Sequence, residues 1–268
     1  MPQNDAGFTG SIPQLYDDNL GHTMFAPYAA DLAARLASLQ VGRLLETAAG
    51  TGIVTAALAA RLPAVEIVAT DLNQPMLDHA ATKPGLNRVQ FRQADAQALP
   101  FADQSFDAVV CQFGVMFFPD RLAAYREARR VLKPGGRFVF NVWDSLVDNP
   151  VMAACVAGLA RRYPHHPSWF LERTPCGYHD PAVIRADLAA AGFPTCTTET
   201  VTLRGHAASP YAPAIGFCQG SPMRAEIEAL DPTGLQAATE AAAAAIAEQF
   251  GSGPFETTLR AVVIETIR

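Results

Sequence analysis

The chain has 268 residues, of which 50% are hydrophobic and 17% are charged, and its formal net charge is −6 at pH 7. This composition is that of a folded globular protein and excludes a largely disordered one. The 20 Lys and Arg residues are scattered and are outnumbered by 26 Asp and Glu, so we expect no nucleic-acid partner.

The five cysteines lie far apart and form no C-x-x-C pair. We therefore expect reduced thiols, with no disulfide framework and no metal site. The polar N-terminus lacks the pattern of a secretory signal, and no apolar run reaches the roughly 18–20 residues of a membrane span. The expected protein is cytoplasmic and has no membrane partner, and its oligomeric state is left open.

In chain order, the first predicted segment, residues 1–40, is expected to be an N-terminal lid segment, and it carries an amphipathic helix at 29–39. Residues 41–144 then alternate short apolar runs with helical patterns, which predicts βαβ units and a parallel sheet. The first predicted strand ends at Glu46, and the others cover 65–70, 88–93, 106–111 and 137–143. The predicted helices between them cover 52–62, 74–81 and 120–131.

The pattern changes after residue 144. Residues 145–180 are rich in proline and predict a helical or irregular insertion. Residues 181–204 predict a helix and a strand that return to the sheet, and the Ala-rich residues 205–255 predict a helical insertion on the substrate side. Residues 256–268 predict a closing strand.

A run of small residues follows the first predicted strand, from Glu46 through Ala48 and Gly50 to Gly52. Such residues let the backbone turn sharply and approach a ligand, and the next helix offers free N–H groups. Asp71 follows Gly52 by 19 residues, at the tip of the second strand, where a carboxylate can accept ribose hydroxyls. These features alone suit nucleotides, dinucleotides and adenosyl cofactors equally.

Three features favour an adenosyl cofactor over a dinucleotide. The dinucleotide fingerprint needs glycine at position 55, which is Thr55 here. Glu46 before the turn suits a ligand with an amino group and repels a pyrophosphate. Asp95 and Ala96, just after the third strand, are placed to bind the edge of an adenine ring.

Glu46, Asp71 and Asp95 lie in three of five motifs that together resemble those of the class I S-adenosylmethionine-dependent methyltransferases, and in particular the small-molecule enzymes related to quinone-biosynthesis methyltransferases. The resemblance covers residues 41–144 and rests on LLETAAGTG, ATDLN, ADAQALPF, SFDAVVCQF and RRVLKPGG. It implies an α/β fold, namely a Rossmann-like, doubly wound, seven-stranded sheet that is mostly parallel. The last strand is expected to be antiparallel, with helical lid insertions around the sheet.

The resemblance also implies S-adenosyl-L-methionine as the cofactor and assigns residues to it. In the family's first motif the position of Ala48 is a glycine, so we expect a slightly altered turn that still binds. The cofactor-binding residues so predicted are Tyr16, Glu46, Ala48, Gly50, Gly52, Asp71, Leu72, Met76, Asp95, Ala96, Gln112 and Phe113.

The function so implied is in-line methyl transfer to a small molecule, for which the protein mainly aligns the reactants and excludes water. Aromatic segments flanking the core favour an apolar or aromatic acceptor. Phe25, Trp143 and Tyr178 are the predicted substrate contacts, and His22 and His179 are the histidines to consider as a base. The acceptor atom stays open. The alternatives are an NAD(P)-dependent oxidoreductase and a non-catalytic subunit that binds S-adenosylmethionine.

Overall fold

The computed structural model describes residues 5, 7, 8 and 10–268. The chain divides into two compact units. The first, called the sheet unit below, comprises Tyr28–Trp143, Tyr178–Val201 and Ala261–Arg268. The second, the helical unit, comprises the described residues up to Pro27 together with Asp144–Gly177 and Thr202–Arg260. The predicted N-terminal segment 1–40 lies outside the described residues at positions 1–4, 6 and 9.

Within the described residues, seven strands form one sheet in the order β3-β2-β1-β4-β5-β7-β6. The pairs from β3 to β5 are parallel, and β7 runs antiparallel to β5. The predicted fold class is confirmed. The strands are β1 Gly42–Glu46, β2 Val65–Asp71, β3 Gln90–Gln93, β4 Phe106–Gln112, β5 Leu132–Trp143, β6 Cys196–Ala207 and β7 Phe255–Ile267.

Eleven α-helices accompany the sheet in the described part of the chain. They are α1 Ile12–Tyr16, α2 Ala26–Arg35, α3 Ile53–Arg61, α4 Gln74–Ala81, α5 Arg121–Val131, α6 Pro150–Arg162, α7 Phe170–Arg173, α8 Pro181–Ala190, α9 Tyr211–Cys218, α10 Met223–Leu230 and α11 Leu235–Phe250. A π-helix, Asp17–Phe25, joins α1 to α2. Short 3₁₀ turns cover Val115–Phe117 and Leu146–Asp148.

One face of the central strands is packed against α2 and α3. Leu44 of β1, Val110 of β4 and Val139 of β5 are fully buried there, in one apolar cluster that includes Leu32 of α2 and Leu58 of α3. Side chains alternate between the faces of a sheet, so each strand contributes every second residue to this cluster. Burial of this face fixes the register in which the strand ends meet.

The structure moves some predicted boundaries. Asp120 is the N-cap of α5, where its side chain accepts a hydrogen bond from the Ala123 N–H at 2.9 Å. The helix ends at Val131, as predicted, and β5 begins at Leu132, ahead of the predicted strand 137–143, so that it includes the Pro-Gly-Gly run at 134–136. The π-helix was not predicted, since its residues give no distinct apolar period. Strand β6 reaches Ala207, beyond the predicted segment 181–204, and β7 begins at Phe255, just before the predicted segment 256–268.

Candidate functional site

Four polar side chains share one face of the sheet unit at the carboxyl ends of neighbouring parallel strands. Glu46 of β1 pairs with Ala69, so Asp71, two residues further along β2, points to the same face. In the same way, Glu46 pairs with Val110 and Gln112 follows two residues later on β4, where Asn141 of β5 is its partner. The side chains of Asp71, Glu46, Gln112 and Asn141, called the polar row below, therefore follow one another across β2, β1, β4 and β5.

The glycine turn, residues 47–52, leaves β1 beside this row and leads into α3. Ala48, Gly50 and Gly52 have φ angles of +53°, +55° and +80°, so three of its residues are left-handed. A Cβ on Gly52 would lie 2.8 Å from the Cβ of Ala80, which explains glycine there. A Cβ on Gly50 would meet nothing within 4 Å, so the backbone at this point faces open space. This is the close approach that an adenosyl ligand needs.

Ala48→Gly is expected to stabilise the protein. Alanine at φ +53° carries a steric cost of about 1–2 kcal/mol that glycine lacks, while glycine raises the entropy of the unfolded chain, so a net gain of about 0.5–1 kcal/mol remains. Denaturant unfolding measures it. The matched control is Ala49→Gly at the neighbouring residue, whose φ is not positive, and this variant should be less stable than the parent.

Asp71 is tied to the glycine turn by its own carboxylate. Its Oδ2 accepts a hydrogen bond from the Gly50 N–H at 2.9 Å, and its Oδ1 accepts one from the Asn73 N–H at 2.8 Å. Burial raises the pKa of Asp71, and these backbone donors oppose the rise. The carboxylate therefore fixes the turn and keeps further lone pairs for ligand hydroxyls.

Glu46 is the most unusual member of the polar row. Its side chain is 1% exposed, and among the described residues its Oε2 has no hydrogen-bond partner. Burial raises the pKa of Glu46 to about 8, the nearby charge of Asp71 adds to the rise, and Thr55 opposes it. An unpaired buried carboxyl oxygen is unfavourable unless a hydrogen-bond partner meets it, and a cationic donor would in addition stabilise the ionised carboxylate. The methionine amino group of S-adenosylmethionine fits this requirement.

The predicted adenine-binding residues follow β2 and β3. The Ala94 N–H donates to the Asp71 carbonyl at 3.0 Å, which holds this loop beside the tip of β2. Asp95 accepts hydrogen bonds from the backbone and side-chain N–H groups of Gln97, at 2.8 and 3.0 Å. Leu72 is 53% exposed, so its apolar side chain is open to a ring, whereas Met76 is buried at 3%.

A second left-handed turn follows β4 at Phe113, whose φ is +52°. The Phe113 N–H donates to Asn141 Oδ1 at 2.9 Å and to the Asn141 carbonyl at 3.2 Å. The Phe113 ring stacks on Trp143, with centroids 3.8 Å apart, and the Tyr28 ring lies nearly perpendicular to both. A Cβ on Gly114 would lie 2.4 Å from the Cβ of Ala48, so this turn packs directly against the glycine turn.

The predicted substrate contacts and bases are distributed over the two units of the chain. In the sheet unit, Trp143 is buried in the stack just described. The Tyr178 hydroxyl, also buried, donates to Asp187 Oδ2 at 2.7 Å. His179 is half-buried beside it. The contacts of these side chains with a substrate stay predictions.

The other predicted residues of this kind lie in the helical unit. Tyr16 stacks on Phe25 with ring centroids 4.8 Å apart, and His22 is exposed on the π-helix. Their roles toward a cofactor or a substrate also stay predictions.

The residues predicted from the sequence do not include Asn141 and Tyr28. The signal for Asn141 was present, because it is a polar residue in the otherwise apolar run Phe-Val-Phe-Asn-Val-Trp of β5. Tyr28 gave no such signal, since an aromatic residue on an amphipathic helix usually belongs to the core. Among the described residues, no helix has the length and apolar character needed to cross a membrane.

Parts of the chain are similar to known methyltransferases. A family model described as a methyltransferase domain matches residues 45–140. A ubiquinone/menaquinone biosynthesis C-methyltransferase of Syntrophotalea carbinolica is 39% identical over 133 residues, which cover 49% of this chain and 54% of that protein. A demethylmenaquinone methyltransferase of Thermus thermophilus is 37% identical over 183 residues, which cover 62% of this chain and 79% of that protein.

A solved structure shares the fold at lower identity. It is phosphoethanolamine N-methyltransferase 2 of Haemonchus contortus in complex with S-adenosyl-L-methionine, with a TM-score of 0.59 and 16% identity. The similarity covers 96% of this chain and 56% of that one. At this identity the likeness concerns the fold alone. The chain also spans only about half the length of the Syntrophotalea relative.

Proposed function

The chain belongs to the class I S-adenosylmethionine-dependent methyltransferases, and from this premise we propose that it transfers a methyl group from S-adenosylmethionine to a small apolar or aromatic molecule. The observation that carries the proposal is the buried Glu46 carboxyl group, whose Oε2 has no partner among the described residues. It lies at the carboxyl edge of a parallel sheet, where ligands of such folds bind.

Different residues at this edge bind different parts of the cofactor. Glu46 receives the amino group, Asp71 the ribose hydroxyls, and Asp95 with Ala96 the adenine ring. Gly50 leaves room for the close approach of the ligand to the backbone. When bound, S-adenosylmethionine would supply a methyl group attached to a positively charged sulfur. The neutral thioether that remains after the transfer is a good leaving group.

The protein's own contribution to the reaction is alignment and the exclusion of water. The packed turns at Ala48 and Phe113 give the site a fixed wall, since each turn limits the movement of the other. Gln112 and Phe113 are proposed to lie beside the reactive sulfur. A base is needed only for an acceptor that loses a proton, and His22 and His179 stay the predicted candidates for it.

The acceptor is proposed to be a ring compound of the quinol type. The name of one relative refers to ubiquinone and menaquinone biosynthesis, and the name of another refers to demethylmenaquinone. The buried aromatic group of Tyr28, Phe113 and Trp143 at the ends of β4 and β5 supports an apolar ring. The predicted substrate-side role of segments 145–180 and 205–255 stays a prediction.

Thermal shift and turnover measurements together test the proposal. S-adenosylhomocysteine should raise the melting temperature and NADH should not, because Thr55 and Glu46 do not suit a pyrophosphate. A shift with NADH alone would favour the NAD(P)-dependent oxidoreductase. With S-adenosylmethionine present, quinols, phenols, amines and fatty acids are then offered in turn, and we expect S-adenosylhomocysteine to form with a quinol or phenol. Binding without turnover on any acceptor would favour the non-catalytic subunit.

A further inference from the structure

Asn141 is a polar side chain in the buried centre of the sheet. It lies near the end of β5, is 0% exposed, and pairs with Gln112 on one side and Val263 on the other. Residues two positions apart on a strand share a face, and Val139 on the same face belongs to the apolar cluster. A residue that only packed the sheet here would be apolar, so the carboxamide calls for an explanation.

The oxygen of the Asn141 carboxamide has a hydrogen-bond partner. Asn141 Oδ1 accepts the hydrogen bond of the Phe113 N–H at 2.9 Å. This donor fixes the orientation of the amide, because the opposite orientation would set two N–H donors against each other. Asn141 thereby holds Phe113 in its left-handed conformation, with the ring stacked on Trp143.

The nitrogen of the Asn141 carboxamide, Nδ2, has no hydrogen-bond partner among the described residues, although the atom is buried. Leaving a buried amide donor unpaired is unfavourable, so the group is best explained by an acceptor that arrives with a ligand. Among the buried atoms of the polar row that lack a hydrogen-bond partner in the described residues are two of opposite chemistry, a carboxyl oxygen on Glu46 and an N–H donor on Asn141.

The order of the strands indicates which part of a ligand Asn141 meets. The tips of β3, β2, β1 and β4 carry Asp95, Asp71, Glu46 and Gln112 in that spatial order, which runs from the adenine to the sulfur of the proposed cofactor. Strand β5 is the next in the sheet, about 4.8 Å further on. Asn141 therefore lies past the sulfur, on the side to which the methyl group leaves.

We propose that Asn141 is a specificity-determining residue for the methyl acceptor. Its Nδ2 donates a hydrogen bond to an oxygen atom of the acceptor, while its Oδ1 keeps the Phe113 turn in place. The acceptor is thereby a molecule with a carbonyl or hydroxyl oxygen near the atom that is methylated. This inference rests on the proposed function, because the direction of the row is that of a bound S-adenosyl ligand.

The test compares two ring probes of nearly equal shape, 1-naphthol and 1-methylnaphthalene, on the full chain saturated with S-adenosylhomocysteine. The parent protein should bind 1-naphthol at least tenfold more tightly. In Asn141→Leu, which keeps the size of the side chain and removes the donor, this ratio should fall below about threefold. The ratio cancels a general loss of stability, which a merely structural role would produce.

Two further variants keep the test decisive if Asn141→Leu does not fold. Asn141→Ala removes the donor without adding apolar bulk and should lose the preference as well. Val139→Ala, on the same face of the same strand, should lower the melting temperature and leave the naphthol preference intact. An unchanged preference in both Asn141 variants overturns the inference, as does a parent protein that prefers neither probe. If the parent protein does not bind S-adenosylhomocysteine at all, the proposed function itself fails.

Discussion

Glu46→Gln is expected to weaken S-adenosylhomocysteine binding by about 10- to 100-fold, which corresponds to the roughly 1.5–3 kcal/mol of a hydrogen bond to a charged group. Glutamine keeps the size of the side chain but removes its charge and one of its two acceptor oxygens, so the loss reports the carboxylate rather than a change of shape. Titration calorimetry measures it. An affinity within twofold of the parent value would show that the buried carboxyl group does not meet the ligand's amino group.

The same variant should change how stability depends on pH. Glu46 in the folded protein has a pKa of about 8, above its ordinary value of 4.5, so the folded chain keeps a proton that the unfolded chain has lost. The free energy of unfolding therefore falls as the pH rises from about 4.5 to about 8, and the loss levels off above that. In Glu46→Gln this contribution disappears, and the variant should gain stability over the parent towards pH 8 when no ligand is present.

Ligand binding should also release a proton. A cationic amino group favours the ionised carboxylate and so lowers the pKa of Glu46 in the complex. At pH 7 the free protein therefore gives up a proton on binding. Calorimetry in phosphate and in Tris, whose ionisation enthalpies differ, should show this release in the parent protein and not in Glu46→Gln. Equal proton release by the two proteins would assign it to another group.

Asp71→Ala is the second change with a large expected effect. We expect S-adenosylhomocysteine affinity to fall by about 10- to 100-fold, because the ribose loses a charged acceptor. Stability should fall as well, because the N–H groups of Gly50 and Asn73 lose the carboxylate that holds them. Calorimetry and denaturant unfolding measure the two effects separately.

The control for Asp71→Ala is Asp78→Ala on α4. The Asp78 side chain is exposed and accepts a hydrogen bond from Gln74, four residues earlier on the helix. This hydrogen bond lies within the helix and does not involve the glycine turn. This variant should match the parent in ligand affinity and nearly match it in stability. An Asp71→Ala protein that binds as tightly as Asp78→Ala would remove Asp71 from the site.

The central sheet could be predicted because its sequence signals are local. The apolar run that ends at Asp71 indicates a buried strand, and the small residues after Glu46 indicate a sharp turn. The strand ends then meet at one edge, since parallel strands connected by helices must do so. The placement of Glu46 and Asp71 side by side thus followed from the order of the elements.

The rest of the site depends on register, which short motifs do not encode. Asn141 joins the polar row only because β5 pairs with β4 so that Asn141 meets Gln112. The left-handed conformations of Ala48 and Phe113 are held by packing between two turns that are far apart in the chain. Neither the periodicity nor the composition of a single sequence predicts such contacts.

A crystal structure of the chain with S-adenosylhomocysteine tests the central claim most directly. We expect the ligand to lie along the carboxyl edge, its amine within hydrogen-bond distance of Glu46 and its ribose hydroxyls within that distance of Asp71. The adenine should meet Asp95 and Ala96. Electron density for the ligand elsewhere, or these three carboxyl groups turned away from it, would contradict the account.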